Sequence, residues 1–200
     1  MLAVLGPMAV FTFAHASAAC ELPRPRDPAK PGVLYHVVMG ASQVRFDAKA
    51  FLHTFAGTTS RVEGSIRVGD LDRLSDAAAC IRIDAASLDT GNRIRDGNMR
   101  EGHLETSRFP TIDFLLTMVD GMMRQPGRWQ FMASGTLSLH GVEREVRFPI
   151  RAREEGETVV LTGQLPLKMT DYGIPIPRFL LLSVEDQVLV SFDVTAKRAS

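Results

Sequence analysis

The stretch "RWQFMASGTLSL", from Arg128 to Leu139, alternates between two kinds of side chain along its length. Successive side chains of a strand point to opposite faces of a sheet, so this period of two predicts a β-strand with one dry face and one wet face. Such a strand belongs in an antiparallel sheet, because parallel sheets are usually buried on both faces. The dry set is Trp129, Phe131, Ala133, Gly135, Leu137 and Leu139.

The same period recurs in seven other segments. In "TIDFLLTM" it places Met118 on the dry face together with Phe114 and Leu116. Eight half-buried strands in succession, without crossover helices, predict an all-β barrel or sandwich. The seven segments are "QVRFDAKA" (43–50), "RVEGSIRV" (61–68), "CIRID" (80–84), "TIDFLLTM" (111–118), "VEREVRFPI" (142–150), "VVLTGQLPL" (159–167) and "QVLVSFDVTA" (187–196).

The dry faces mix large and small side chains. Aromatic residues such as Phe46 and Phe148 alternate along the chain with Gly64, Gly135 and Gly163. An eight-stranded barrel has an interior just wide enough for side chains or for one ligand. Small inward residues either leave room for a tunnel or let the strands bend at barrel corners, and periodicity does not distinguish the two.

Composition limits the classes of function. The chain has 200 residues, 45% of them hydrophobic, and its 23 basic side chains balance 23 acidic ones. A balanced charge gives no electrostatic basis for binding nucleic acid. The length predicts one domain, or one domain plus a targeting segment.

The N-terminus has the features of an exported protein. Residues 1–19 are apolar, too short to span a bilayer, and end in the small residues "ASA" at 16–18, which predicts a signal peptide and a periplasmic location. The segment lacks the usual basic residue before its apolar stretch. Residues 20–33 form a leader with four prolines, and the barrel domain is predicted over 34–198.

The chain has two cysteines, Cys20 and Cys80, and the predicted export bears on whether they are bonded to each other. In an oxidising compartment such a pair normally forms a disulfide, which is the pairing we predict. Two alternatives stay open. Cys20 follows a run of small residues and is also a candidate for the lipidated first residue of a membrane-anchored lipoprotein, and both thiols could be free.

A polar island interrupts the strands between Ser87 and Phe114. Asp96 is a candidate helix N-cap and Pro110 a stop, which predicts a short helix at about 95–107. Met99 and Leu104 are its candidate dry contacts, with Ile94 just ahead of them. So short a helix needs a platform, and the open end of a barrel provides one.

The island and three other motifs resemble the polyisoprenoid-binding YceI-like family over residues 35–196. The motifs are "GTTSRVEGSI", "SLDTGNRIRDGNMREGHLETSRFPTIDF", "GTLSLHGVEREVRFPI" and the closing "TDYGIPIP" with "VEDQVLVSFDV". The resemblance implies an exported, extended, eight-stranded antiparallel lipocalin-like barrel with the helix near its mouth. It also implies an apolar tunnel for an isoprenoid chain such as a quinone tail, and no catalysis. The segment "HTFAG" at His53–Gly57 departs from the family pattern.

The resemblance and the periodicity together define the candidate site. Arg95, Asp96 and His103 are candidates for closing the barrel or for contacting a ligand's polar head group. No cofactor or metal is predicted, because His53, His103 and His140 lack the short spacing of metal ligands. The predicted tunnel lining is Phe46, His53, Phe55, Val62, Ile66, Met99, Leu104, Phe114, Trp129, Phe131, Leu137 and Phe148.

Three functions are compatible with this pattern. The first is an exported carrier or store of a polyisoprenoid lipid or quinone, acting as a monomer or homodimer with transient membrane contact. The second is an isomerase or cyclase that uses Asp96 or His103 as a base. The third is a packed barrel that acts as a protein-interaction module.

Overall fold

The computed structural model describes residues 20–25, 32–50, 53–74, 76–179 and 182–199. The predicted signal peptide, 1–19, and residues 26–31 of the leader lie outside the described residues. The strands are β1 (Val33–Val37), β2 (Gln43–Ala50), β3 (Thr54–Thr59), β4 (Val62–Val68), β5 (Ala78–Asp84), β6 (Thr111–Gln125), β7 (Arg128–Leu139), β8 (Val142–Glu155), β9 (Thr158–Lys168), β10 (Arg178–Phe179) and β11 (Leu182–Arg198). Helix α1 (Arg93–Asn98) continues into a π-helical turn (Met99–His103), and 3₁₀ turns occur at Ala85–Ser87 and Met169–Tyr172.

The predicted eight-stranded antiparallel barrel is confirmed. Strands β1, β4, β5, β6, β7, β8, β9 and β11 follow one another around the ring, and β1 pairs with β11 to close it. Tyr35 faces Arg198 in that closing pair. The earlier part of β11, from Val184 to Asp193, pairs instead with β2, which in turn pairs with β3. The wall therefore continues past the bend at residues 38–42, and the barrel is extended.

Ser42 fastens that bend. Its hydroxyl donates to the Val38 carbonyl oxygen at 3.1 Å and accepts from the Thr195 amide at 3.1 Å. Ser42 is buried, so these hydrogen bonds offset the cost of removing its hydroxyl from water. The bend can therefore pass from β1 to β2 without losing contact with β11.

All eight predicted segments form strands, and two of them, β2 and β7, have the predicted bounds. Strands β1, β3 and β10 were not predicted. They have five, six and two residues, and β3, with sequence TFAGTT, has too few apolar positions for periodicity to detect.

The predicted inward orientation of Met118 is wrong. Met118 is 53% exposed. Thr117 has no cross-strand partner, because β6 pairs Leu116 with Gly135 and then Met118 with Ser134. This bulge inserts one residue and reverses the alternation. Val119 faces the interior in place of Met118.

Aromatic rings fill the space beside Gly135 and Gly163, so these glycines leave no room for a ligand, whereas Gly64 has a φ of +148° that favours glycine and a Cβ there would meet the Cys80 carbonyl oxygen. A Cβ atom at each of three glycines would collide with an aromatic ring from a neighbouring strand. The missing side chain lets the ring fold over the backbone, as aromatic residues do when they cover glycine in a sheet. The pairs are Phe46 over Gly57, Phe114 over Gly135, and Phe192 over Gly163.

Gly163→Ala should therefore destabilise the barrel by about 1 to 3 kcal/mol, because its Cβ would lie 2.5 Å from the Phe192 ring and 2.8 Å from the Pro149 carbonyl oxygen. Gly97→Ala is the matched control. Gly97 is helical and has open space around it, so this change should stabilise by about 0.5 to 1 kcal/mol. Urea denaturation measures both. Equal effects of the two changes would contradict the ring-over-glycine account.

Cys20 and Cys80 are joined by a disulfide, with their Cα atoms 5.6 Å apart. Cys80 lies between Ala79 and Ile81, which line the interior, so its side chain points to the outer face of β5. The bond therefore holds the start of the described chain against the outside of the barrel wall.

Thiol labelling of the denatured, unreduced protein should find no free cysteine. Reduction should lower the free energy of unfolding by about 4 kcal/mol in the chain-entropy model, because the bond spans 60 residues. The double variant Cys20→Ser/Cys80→Ser should match the reduced protein. Labelling of both thiols in the unreduced protein would rule out the bond.

Candidate ligand-binding cavity

A cavity of about 820 Å³ runs through the barrel. Its wall is built from the dry faces of the strands, so nearly all of the surface is aliphatic or aromatic. Along β7 the lining begins at Trp129 and ends at Leu139. The cavity therefore extends over most of the barrel, from the distal end where β7 begins to the mouth where β2, β9 and α1 meet.

Most residues predicted for the tunnel line this cavity. Val62 does not: it is fully buried and packs with Val44 and Val194, so it belongs to the wall behind the surface. Near a corner of the barrel, neighbouring inward side chains cover one another, and alternation alone does not reveal this. The predicted residues that line the cavity are Phe46, His53, Phe55, Ile66, Met99, Leu104, Phe114, Trp129, Phe131, Leu137 and Phe148.

The polar island closes a gap in the wall. Strand β3 is joined there not to another long strand but to Asp89, through Thr58 N–H to Asp89 O at 2.8 Å and Asp89 N–H to Thr58 O at 3.0 Å. The hydroxyls of Thr59 and Ser87 add a hydrogen bond of 2.6 Å. The first part of the island thus completes the barrel wall beside β3.

The predicted role of Asp96 as N-cap is wrong, and the helix spans 93–103 rather than 95–107. Asn92 is the cap, because its side-chain oxygen accepts from the amides of Ile94 and Arg95, both at 3.1 Å. Asp96 lies inside the helix and is only 5% exposed. The chain turns at Gly91, whose φ is +75°, and this turn places the helix start before Asp96.

Asp96 instead fastens the helix to the preceding turn. Its carboxylate accepts from the Thr90 amide at 3.0 Å and from the Thr90 hydroxyl at 2.5 Å. Burial by itself raises the pKa of Asp96, but these hydrogen bonds and the charge of Arg100 outweigh burial and hold the pKa below its ordinary value. The ionised form is therefore the one that this structure stabilises.

Arg95 joins the helix to two parts of the wall. It donates to the Thr90 hydroxyl from Nε at 2.7 Å and to the Thr90 carbonyl oxygen from Nη2 at 2.9 Å. Its guanidinium carbon lies 4.4 Å from the centre of the Phe55 ring, a cation–π contact. Arg95 also lines the cavity, so it is both a closing residue and a cation at the mouth.

His103 and His140 contact the backbone of the segment between β9 and β10, residues 169–177. The Nδ1 atom of His103 is 2.9 Å from the Pro175 carbonyl oxygen, and that of His140 is 3.0 Å from the Tyr172 carbonyl oxygen. His103 lines the cavity and His140 does not. Within the described ranges, no three histidine, cysteine, aspartate or glutamate side chains are grouped to hold a metal ion.

The structure adds polar residues at the mouth that the sequence did not indicate. Asn92, Asn98, Lys168 and Ser183 line the cavity where it meets solvent. Lys168 ends β9 on the wet face of the alternation, and only the geometry of the strand end brings it to the rim. Its sequence position carries no signal of this role.

Comparison with known proteins identifies the family. A model of the YceI-like domain matches residues 35–196, which is most of the chain. The chain belongs to the YceI-like family. The predicted membership is thus confirmed, and a search of curated proteins found no match.

Solved structures have the same YceI-like fold. Burkholderia cenocepacia BcnA has a TM-score of 0.69 at 18% identity, covering 80% of this chain and 98% of that chain. A polyisoprenoid-binding domain from Saccharophagus degradans, implicated in plant cell wall breakdown, has a TM-score of 0.67 at 20% identity, covering 82% and 98%. The Campylobacter jejuni YceI protein has a TM-score of 0.59 at 15% identity, covering 72% and 85%. Identities this low establish the fold alone.

Over the part of the YceI-like chain that the structure describes, no helix is both long and apolar enough to cross a bilayer.

The Asp96 contacts predict an acid-sensitive helix. A lowered folded-state pKa stabilises the fold above the ordinary aspartate value of about 3.9, and this contribution disappears as pH falls from there through the folded-state pKa. Asp96→Asn should lower stability by about 1.5 to 3 kcal/mol at neutral pH and flatten this part of the pH profile.

Asn92→Ala provides the matched control for that profile. It removes the cap and should cost about 1 kcal/mol at every pH, because no proton is involved. The measurement is a denaturant titration at several pH values between neutral and acidic, with hydrogen exchange of the helix amides as the readout. The two variants should differ in how their stability depends on pH. An unchanged pH profile in Asp96→Asn would contradict this assignment.

Proposed function

We propose that this protein binds a polyisoprenoid chain in the barrel cavity and carries or stores it in the periplasm without changing it chemically. The observation that carries the proposal is a continuous apolar lining around about 820 Å³ of space. A polyisoprenoid-binding domain among proteins of the same fold supports this choice of ligand. The disulfide supports an oxidising compartment, and a thiol bonded in that way is not free for lipidation.

Hydrophobic burial is strong enough to hold such a ligand. Each buried CH₂ group contributes about 0.8 kcal/mol, so a chain of several isoprene units gains well over 10 kcal/mol. Binding costs on the order of 4 to 15 kcal/mol in lost freedom of the partners. Affinity would therefore come mainly from the chain, with the head group setting orientation.

The charges along the lining favour one orientation. Arg95 and Lys168 are cations at the mouth, whereas Glu154 at the distal end is the one carboxylate among the described lining residues. A head group that accepts hydrogen bonds or carries negative charge, such as a quinone or a phosphate, is better matched to the mouth. The chain would then extend towards Trp129.

The alternative functions are less well supported. An isomerase or cyclase needs a base that reaches the ligand, but Asp96 lies outside the lining and its lowered pKa makes it a weak base. His103 reaches the cavity, yet its Nδ1 atom is engaged with Pro175. A protein-interaction module would have a filled barrel, which the cavity argues against.

The direct test is solvent extraction of the purified protein followed by mass spectrometry, which should find a prenyl lipid at about one per chain. Ala79→Phe places a ring in the cavity and should abolish this co-purification. Gln130→Phe is the matched control, because it adds the same ring to the outer face of β7. A folded Ala79→Phe protein that retained the lipid would contradict binding in this cavity.

Uptake from a membrane should occur at the mouth. Ile94 lines the cavity and is also 79% exposed, so it offers an apolar contact beside the opening. Ile94→Asp should slow transfer of a prenyl lipid from vesicles at least about tenfold, because a buried charge in the bilayer is costly. The amount bound at equilibrium should change little. Unchanged transfer rates would exclude membrane contact through this residue.

A further inference from the structure

Trp129, Leu71 and Leu74 line the distal end of the cavity, and we name these three residues the floor. Trp129 is 6% exposed, and its indole Nε1–H donates to the Leu71 carbonyl oxygen at 3.1 Å. Leu71 and Leu74 pack against the same buried cluster as Trp129, and all three side chains line the cavity. The indole is therefore fixed, at the distal end of the lumen, to the loop that follows β4.

Further contacts hold that loop in place. The Asp72 amide donates to the Asp70 carboxylate at 2.7 Å, and Asp72 pairs with Arg124 of β6 at 2.6 Å. The same end of the cavity also exposes Glu154. An apolar chain that pressed past the floor would have to displace a fastened loop and remove a carboxylate from water, and both are unfavourable.

The distance from floor to mouth corresponds to a definite chain length. Trp129 and Leu139 both line the cavity and lie on one strand. Their separation is about 33 Å along the strand at ~3.3 Å per residue, or about 25 Å along the axis of a tilted barrel. An extended isoprene unit adds about 5 Å, because it contributes four carbon–carbon bonds to the chain. About five units therefore fit between floor and mouth.

We infer that Trp129, backed by Leu71 and Leu74, determines the length of chain that this protein accommodates. The inference rests on the proposed function and adds a selectivity to it. Chains of up to about five isoprene units lie wholly inside, and longer chains leave their additional units at or beyond the mouth. Trp129 is thus a specificity-determining residue rather than one more apolar contact.

The wild-type protein tests this with all-trans prenols of two to about nine isoprene units. Affinity should rise at least about tenfold per unit up to about five units and then level off, because later units are not buried. Trp129 is the single tryptophan of the chain, so its fluorescence reports on the floor directly. A bromine at the tail end should quench it more strongly as the chain approaches about five units, and the quenching should then level off, because the tail ends of longer chains also lie at the floor.

Two variants should move the plateau in opposite directions. Trp129→Ala removes the floor and should shift the plateau to longer chains by at least one unit. Ala152→Leu adds bulk beside Trp129, its cross-strand partner, and should shift the plateau to shorter chains. Gln130→Ala, on the outer face of the same strand, should leave the plateau where it is.

The outcomes separate the inference from the proposed function. A wild-type protein that bound no prenol would contradict both. Affinity that kept rising through the longest prenol would overturn the floor and leave lipid binding intact. Variants that weakened all chain lengths equally would show a merely structural role for Trp129. Should Trp129→Ala fail to fold, the direction of the shift in Ala152→Leu decides the question.

Discussion

The rest of the structure depends on the hydrogen-bonded pairing of β11 along both of its edges. One edge pairs with β9 from Gln187 to Lys197, and the other pairs first with β2 and then, at its C-terminal end, with β1. Closure of a sheet removes the exposed edges at which open sheets associate with other chains. It also fixes the circumference, so the apolar faces are held apart around a lumen instead of collapsing onto one another. The apolar interior can then remain open, because its collapse would require breaking backbone hydrogen bonds of the closed sheet.

The wall is less continuous where it extends past the ring through β2 and β3, and the polar island lies there. Beyond the bend, β3 lacks a long neighbour on one side, and the pairing of Thr58 with Asp89 completes the wall. The same segment then turns at Thr90 and continues into the helix at the mouth. Asp96 and Arg95 both bond to Thr90, so the residue that places the helix directly follows Asp89, which completes the wall. The charges of Arg95 and Asp96 are thus explained by placement of the helix, because both side chains bond within the fold.

The sequence predicted the features that repeat and failed where one residue decides the outcome. Alternation located β2 and β7 residue for residue, since burial of one face is a constraint that every position shares. It placed Met118 inside because the bulge at Thr117 depends on pairing with β7, which no local pattern records. Asn92 and Asp96 are equally good caps by residue type, and only the turn at Gly91 selects Asn92. Periodicity could not predict the cavity, because a small inward residue gives the same alternating pattern whether it borders empty space or is covered by an aromatic ring.

These features limit how the protein could recognise a ligand. Asp96 has its hydrogen bonds directed into the fold, and His103 and Arg95 are partly committed to it, which leaves few polar groups at the mouth for a head group. The lining, in contrast, is a long apolar surface that includes, at its distal end, an indole hydrogen-bonded to the loop after β4. Discrimination between ligands would then come from the length and thickness of the chain more than from the chemistry of its head. A barrel of this kind would suit a carrier that accepts one class of tail with different head groups, because its apolar lining contacts the hydrophobic tail of the ligand and not its head group.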